Sequence, residues 1–321
     1  MKLLGISIII PTYKREKKII SILKSLKKQK KKNLNLQILI CDSFSHYRKE
    51  LFKSKNKNFE IKYSNIKENN LSAKRNYGIK NSKYKNIILI DDDCIPDRNF
   101  IKNFIKDFSS LNDKTILSGI VDYPIKYIKK YNHISFKNKK HFKSKYTNGD
   151  QIPSNKIVAM NLGFIKSQKM SKIGYFNKKF TGYGFEDHEF GHRYKINGYK
   201  LMKTNARIIH DEGKPNINIF SKKYYHLARD GMKNFVKINE KLAKSTIFYK
   251  LETNFLFILV VKLPLFNCLL LFIEKLIIST DKMKFLNFSI FYEILRFSSY
   301  TRGYISRNRN NLKVNKFNWY E

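Results

Sequence analysis

The chain has 321 residues, 42% hydrophobic and 14% aromatic, with only 13 Gly and 6 Pro, a composition that excludes a fibrous or disordered protein and suits one large domain, or one of about 200 to 250 residues plus an accessory segment. A formal net charge of +40 points towards nucleic acid or an anionic membrane surface. Yet 54 of the 65 basic residues are Lys and 11 are Arg, the residue of bidentate phosphate and guanine contacts. Solvated lysine faces therefore stand as an open alternative, and no nucleic-acid partner is expected. Cys41, Cys94 and Cys268 are too few and too scattered for a zinc site or a disulfide framework.

The apolar run Leu3 to Ile10 ends at Pro11 and reads as a buried strand rather than a signal peptide. The catalytic part is accordingly expected in the cytoplasm, at the cytoplasmic face of the membrane. Ile19, Ile22, Leu23 and Leu26 then recur at helical spacing. Strands follow at 36–41 and 59–63, a helix near 71–82, and the apolar run NIILI at 86–90, which runs into Asp91, Asp92 and Asp93. Phe100, Ile101, Phe104, Ile105 and Phe108 share one helical face. Such alternation predicts an α/β fold with a mostly parallel, doubly wound sheet, whose ligands gather beyond the strand ends. Pro11, Thr12, Asp42 and the three aspartates all lie there. The lysine-rich stretch 126–145 reads as a surface loop, 219–239 as a helix, and 253–278 as two apolar runs parted by Lys262 and Pro264, neither of them about 20 residues long. A membrane-lying hairpin and a buried helical pair both fit those runs, and the basic tail after 300 reads as loosely ordered. The expected division is a domain over 1–240 and a helical C-terminal segment over 241–321.

Three adjacent carboxylates need a positive partner. A divalent cation held with substrate phosphates is one answer; an acidic turn with Asp93 or Asp97 capping the next helix is the other. In GYGFEDHEFGHR, residues 182–193, two glycines precede Glu186 and Asp187 at the mouth of a helix. A carboxylate there either complements the helix dipole or serves as a general base. His210, closing the run ARII, has a purely structural reading too, and Arg75 with Asn76 in NLSAKRNYGI reads equally as a solvated helix face.

The order of these pieces resembles the family 2 glycosyltransferases of the GT-A fold, with a later galactosyltransferase-like Gly-x-Gly-x-Glu-Asp motif. It rests on SIIIPTYKR (7–15), ILICDSFS (38–45), LSAKRNYGI (71–79), ILIDDDCIP (88–96) and IGYFNKKFTGYGFEDHEFGHR (173–193), within residues 5–235. The resemblance implies a Rossmann-like GT-A domain that moves a sugar, with inversion, from a nucleotide-diphosphate donor (a UDP-sugar foremost) to a hydroxyl of a glycan or lipid-linked acceptor. Pro11, Thr12, Tyr13, Asp42, Arg75, Asn76, Asp91 and Asp92 would hold the donor. Asp93, joined by His210, would bind Mn²⁺ or Mg²⁺. Asp187 would be the general base and Glu186 its neighbour on the sugars. Ser43 and Phe44 depart from the family's second aspartate, and Met160 stands where a glycine often precedes Asn161. The competing readings are an inactive membrane-associated scaffold, a nucleotidyltransferase, which would not need GYGFED, and an anion-binding protein driven by charge. Peripheral membrane contact is expected from the apolar runs and the lysines.

Overall fold

The computed structural model describes residues 4–29, 33–44, 54–56, 58–142 and 146–309. Among them nine strands build one sheet: β1 (Leu4–Thr12), β2 (Leu34–Asp42), β3 (Ser54–Asn56), β4 (Phe59–Asn65), β5 (Asn86–Ile90), β6 (Cys94–Pro96), β7 (Thr115–Asp122), β8 (Asn161–Ile165) and β9 (Lys200–His210). Their order is β3-β4-β2-β1-β5-β8-β7-β9-β6. The β4-β2-β1-β5 part is parallel, as its strand-helix alternation demands. Beyond it β8 runs antiparallel to both β5 and β7. The sheet is thus parallel from β4 to β5, with β3 antiparallel at that edge, and mixed beyond β5.

Because side chains alternate along a strand, β1 sends Ile6, Ile8 and Ile10 to one core and Ile9 to another. The first core is covered by α1 (Glu16–Lys28), after which comes α2 (Leu71–Lys80) on the opposite face, and then α3 (Phe100–Ser110) back on the first. Each fully buried isoleucine contributes about 1.5–3 kcal/mol, so a sheet covered on both faces reads as nearly unbroken apolar runs. Strand β1 does not stop at Pro11, as expected, but continues to Thr12. Its ladder with β5 ends at Ile9, so Pro11 pairs on the β2 side alone, where Pro11 faces Cys41 and Thr12 faces Asp42.

Two expectations need correction. The lysine-rich stretch forms α4 (Ile125–Lys130) and α5 (Asn132–Phe142), with residues 143–145 outside the described residues. Helix α5 is anchored because Asn132, His133, Ile134, Ser135 and Phe136 are all buried. Then follow α6 (Gln168–Ile173), α7 (Glu186–Ile196), α8 (Ile217–His226), a π-turn at Leu227–Gly231, α9 (Met232–Ile238), α10 (Glu240–Lys244), α11 (Ile247–Glu252), α12 (Phe255–Val260), α13 (Pro264–Ser279) and α14 (Ser289–Arg309). Helix α14 carries the chain through residues 300–309, which were expected to be loose; the rest of the expected tail, 310–321, lies outside the described residues.

The expected boundary near 240 falls between α9 and α10, yet helices from both sides share a core. Phe136, Ile217 and Phe220 pack with Ile277, Tyr292 and Leu295. Glu274 of α13 is buried and accepts hydrogen bonds from Ser298 at 3.0 Å, Arg302 at 2.7 Å and Ser221 of α8 at 3.3 Å. Asp281 is likewise turned inward, onto His133 Nδ1 at 2.7 Å and the Tyr292 hydroxyl at 3.0 Å. Two glycines permit the closest approaches. A Cβ on Gly303 would stand 2.1 Å from the Tyr225 carbonyl oxygen, and one on Gly231 2.3 Å from that of Tyr183.

Candidate active site

The strand ends bring Thr12, Asp42 and Asp91–Asp93 to one edge of the sheet. The positive partner that three aspartates require is supplied first by the protein. Arg15, at the start of α1, donates through Nη1 to Asp92 Oδ1 at 2.9 Å and to Asp93 Oδ2 at 2.6 Å. Thr12 donates its hydroxyl to Asp92 Oδ2 at 2.8 Å. Burial pushes Asp92 up to about 7, with Arg15 pulling it down and Asp93 pushing it up. Asp93 behaves oppositely. Burial would raise it, but His210 and Arg15 beside it hold it well below the carboxylate range.

Strand β6 pairs with the end of β9, setting Cys94 opposite His210. His210 Nε2 comes to 3.2 Å from Asp93 Oδ1, and these two residues with Cys94 are the group of potential metal ligands found among the described residues. The spacing fits a cation: an octahedral Mg²⁺ with ligands at about 2.1 Å sets neighbouring donors about 3 Å apart. The carboxylate oxygen suits Mn²⁺ or Mg²⁺, whereas the imidazole nitrogen favours a transition metal over Mg²⁺. Cys94 fits less well, because burial and then Asp93 raise its thiol well above the ordinary value and keep it neutral. The buried Nδ1 of His210 has no hydrogen-bond partner, so the contact of Nε2 with Asp93 alone orients the ring from the protein side. Neither Asp93 nor Asp97 caps α3 through its side chain from the N-cap position, which Asn99 occupies.

Helix α2 carries Arg75, which is 2% exposed and so does not lie on a solvated helix face. Its Nη2 donates to Asp91 Oδ1 at 2.9 Å, while Nη1 lies 3.6 Å from both Glu186 Oε1 and Asp187 Oδ1. Burial opposes its charge, and the three carboxylates more than restore it. Arg75 thereby joins the end of β5 to the mouth of α7. That mouth is a strained turn: Phe185, the N-cap, has φ 73°, a conformation costly for a bulky residue. Its ring stacks on Phe235 at 4.6 Å, which holds it there. Glu186, Asp187 and Glu189 then fill the first turn, where the helix dipole favours them. Burial, then Asp187, pushes Glu186 up to about 8, and burial also raises Asp187. Asp187 Oδ2 accepts the Ala159 amide at 2.9 Å, and its buried Oδ1 has no hydrogen-bond partner.

Two expected donor contacts are placed differently. Asp42 is fully buried, its oxygens taken by the Phe44 amide at 2.9 Å and the Tyr63 hydroxyl at 2.8 Å, so it holds the backbone just after β2. Asn76 spends its amide on the Phe176 backbone, at 2.7 and 2.9 Å. Tyr13 stands edge-on to Phe44 at 5.8 Å and remains partly exposed.

Several members of the site escaped the sequence reading. Arg15 was inside a quoted motif but carried no role. Buried Lys74 donates to the Thr12 carbonyl at 2.8 Å and to Asn69 at 2.9 Å, and burial pushes it down to about 8. Glu212 accepts from Lys137 at 2.8 Å and Lys223 at 2.6 Å beside His210. These lysines come from α5 and α8, and among 54 lysines nothing local marks them.

Residues 7–167 match glycosyl transferase family 2, and residues 140–218 match the N-terminal domain of galactosyltransferase. Chondroitin synthase of Escherichia coli is 26% identical over 250 residues, 66% of this chain and 36% of that protein. Chondroitin synthase of Pasteurella multocida is 24% identical over 228 residues, 60% and 23% of the respective chains. The chain thus spans about a third and a quarter of these relatives. Among solved structures, a mannosyltransferase of Pyrobaculum calidifontis in complex with GDP-Man and Mn²⁺ is similar with a TM-score of 0.53 at 13% identity, over 92% of this chain and 86% of that one. That likeness is one of fold, the GT-A fold that the motif order implies.

Proposed function

The chain belongs to glycosyl transferase family 2, and from that premise we propose that it transfers a sugar from a nucleotide-diphosphate donor to a hydroxyl of a growing polysaccharide, with inversion. The observation that carries this reading is Asp187: a partly exposed carboxylate with Oδ2 fixed by Ala159 and Oδ1, without a hydrogen bond, beside Arg75. A general base needs an oxygen without a hydrogen bond, and burial raises this carboxyl above its ordinary value, which strengthens it as a proton acceptor. In the proposed step Asp187 Oδ1 takes the acceptor hydroxyl proton. The oxygen forms its bond to the anomeric carbon as the bond to the diphosphate breaks and that electron pair leaves with the diphosphate.

Arg75 keeps Asp187 ionisable and ties it to Asp91, and Glu186 lies beside both, next to the sugars. Tyr13, with Thr12 and Pro11 behind it, faces the nucleotide, while Asp42 and Asn76 act by shaping the Phe44 and Phe176 backbones. Asp91 and Asp92 border the donor. Asp93 and His210 would hold Mn²⁺ or Mg²⁺, which when bound supplies positive charge to the departing diphosphate. The names of the curated relatives support a polysaccharide acceptor, and a UDP-sugar is the donor tested first. Calorimetry against UDP-, GDP-, CMP- and dTDP-sugars with and without Mn²⁺ should find one metal-dependent donor, lost in Asp93→Ala. Absence of binding to every donor would favour the inactive-scaffold reading.

A further inference from the structure

Among the described residues no helix is long and apolar enough to cross a membrane. Yet among the described residues all the exposed large hydrophobic ones except Ile125, Ile196, Ile219 and Ile247 lie between 255 and 297. They are arranged in stripes. On α13, Leu265, Leu269, Phe272 and Leu276 are 52–81% exposed and recur every three or four residues, opposite the buried line Leu270, Glu274 and Ile277. On α14, Ile290, Ile294 and Phe297 repeat the spacing, and Phe297 meets Phe257 of α12 at 6.2 Å.

The charges are sorted as well. Between 253 and 292 the acids are Glu274 and Asp281, both buried, whereas Lys262, Lys275, Lys282 and Lys284 are all exposed. The outward surface of this segment therefore offers apolar side chains and positive charge; its one part-exposed acid, Glu293 of α14, is paired with Lys140 and Arg296. An apolar stripe edged with lysines suits a bilayer whose acyl boundary takes the stripe and whose anionic headgroups take the ammonium groups.

We propose that α12, α13 and the first half of α14 form an in-plane docking face for an anionic lipid bilayer. The chain lies on the membrane through this face without spanning it. The test is flotation of the full chain with phosphatidylcholine vesicles, with and without 30 mol% phosphatidylglycerol, alongside light scattering without lipid. Wild type should float with the anionic vesicles and far less with neutral ones. Leu269→Glu with Phe272→Glu should lower partitioning tenfold or more at an unchanged melting temperature, because both positions are exposed. Lys262→Gln and Lys275→Gln should each lower it by roughly fivefold, about 1 kcal/mol per lysine. Equal flotation of the stripe variant, no flotation of wild type, or a dimer that the stripe variant disperses would overturn the proposal, the last by assigning the face to a second copy. Donor calorimetry on the same samples is a separate readout, so failure here leaves the transferase reading intact.

Discussion

Replacing Arg75 with methionine keeps the length of the side chain and removes its charge from between three carboxylates. With an effective dielectric of 20, each 3.6 Å contact to Glu186 and Asp187 is worth about 5 kcal/mol of Coulomb attraction, much of it offset by the desolvation of a guanidinium that is 2% exposed. Removing one partner of a buried pair costs about 3–5 kcal/mol; since the carboxylate side chains keep 11–25% exposure, a loss near 3 kcal/mol is expected. The pH dependence separates this cause from a packing defect. Burial, with Asp187 adding to it, puts Glu186 at about 8 in the folded protein, above its ordinary 4.5. The group's contribution to stability is therefore complete below 4.5 and lost as pH rises through 8. Without Arg75 both carboxylates rise further, so that loss steepens. Urea unfolding should show the Arg75→Met deficit near its full size at pH 8.5 and clearly smaller at pH 5. A deficit below about 1 kcal/mol at pH 8.5, or one that does not change with pH, would refute the role of Arg75 as the charge hub.

Asp187→Asn should lower kcat by about 10²–10⁴ while donor affinity stays put; equal loss of donor binding would make Asp187 a binding residue. Chelation should weaken donor binding and added Mn²⁺ restore it, and His210→Ala should raise the Mn²⁺ dissociation constant roughly tenfold or more, with titration in the absence of donor as the check. Gly303→Ala places a methyl group against the Tyr225 carbonyl and should cost about 1–3 kcal/mol by overpacking. An unchanged melting temperature would show that α14 can move away freely.

The N-terminal strands and helices were legible because burial on both faces writes apolar runs ending abruptly in Pro11, Asp42 and Asp91. The candidate catalytic turn was legible for a similar reason, as glycines and acids crowd into residues 182–187. Less could be read where charge hides its own function. Lysine is so common here that Lys137 and Lys223 are indistinguishable from solvated neighbours until α5 and α8 bring them to Glu212. The stretch around Lys137 passed for a loop because its burial depends on Asp281 and Tyr292, some 150 residues away. Asp42 reads as a strand end and Asn76 as part of a short helix, but their side-chain directions depend on Tyr63, Phe44 and Phe176, which no local pattern reveals.

The close approaches at Gly231 and Gly303 bear on how such a protein can be recombined. Helix α14 leans on α8 at Gly303, and the π-turn that follows α8 touches, at Gly231, the backbone of Tyr183 in the turn leading to Glu186 and Asp187. A chain cut after residue 240 would keep every candidate site residue and lose the wall behind the catalytic turn. A chimera that borrowed its last eighty or so residues from a relative would trade away that wall too, and would keep its turn in shape only if the incoming helix brought its own glycine to the point where it meets Tyr225.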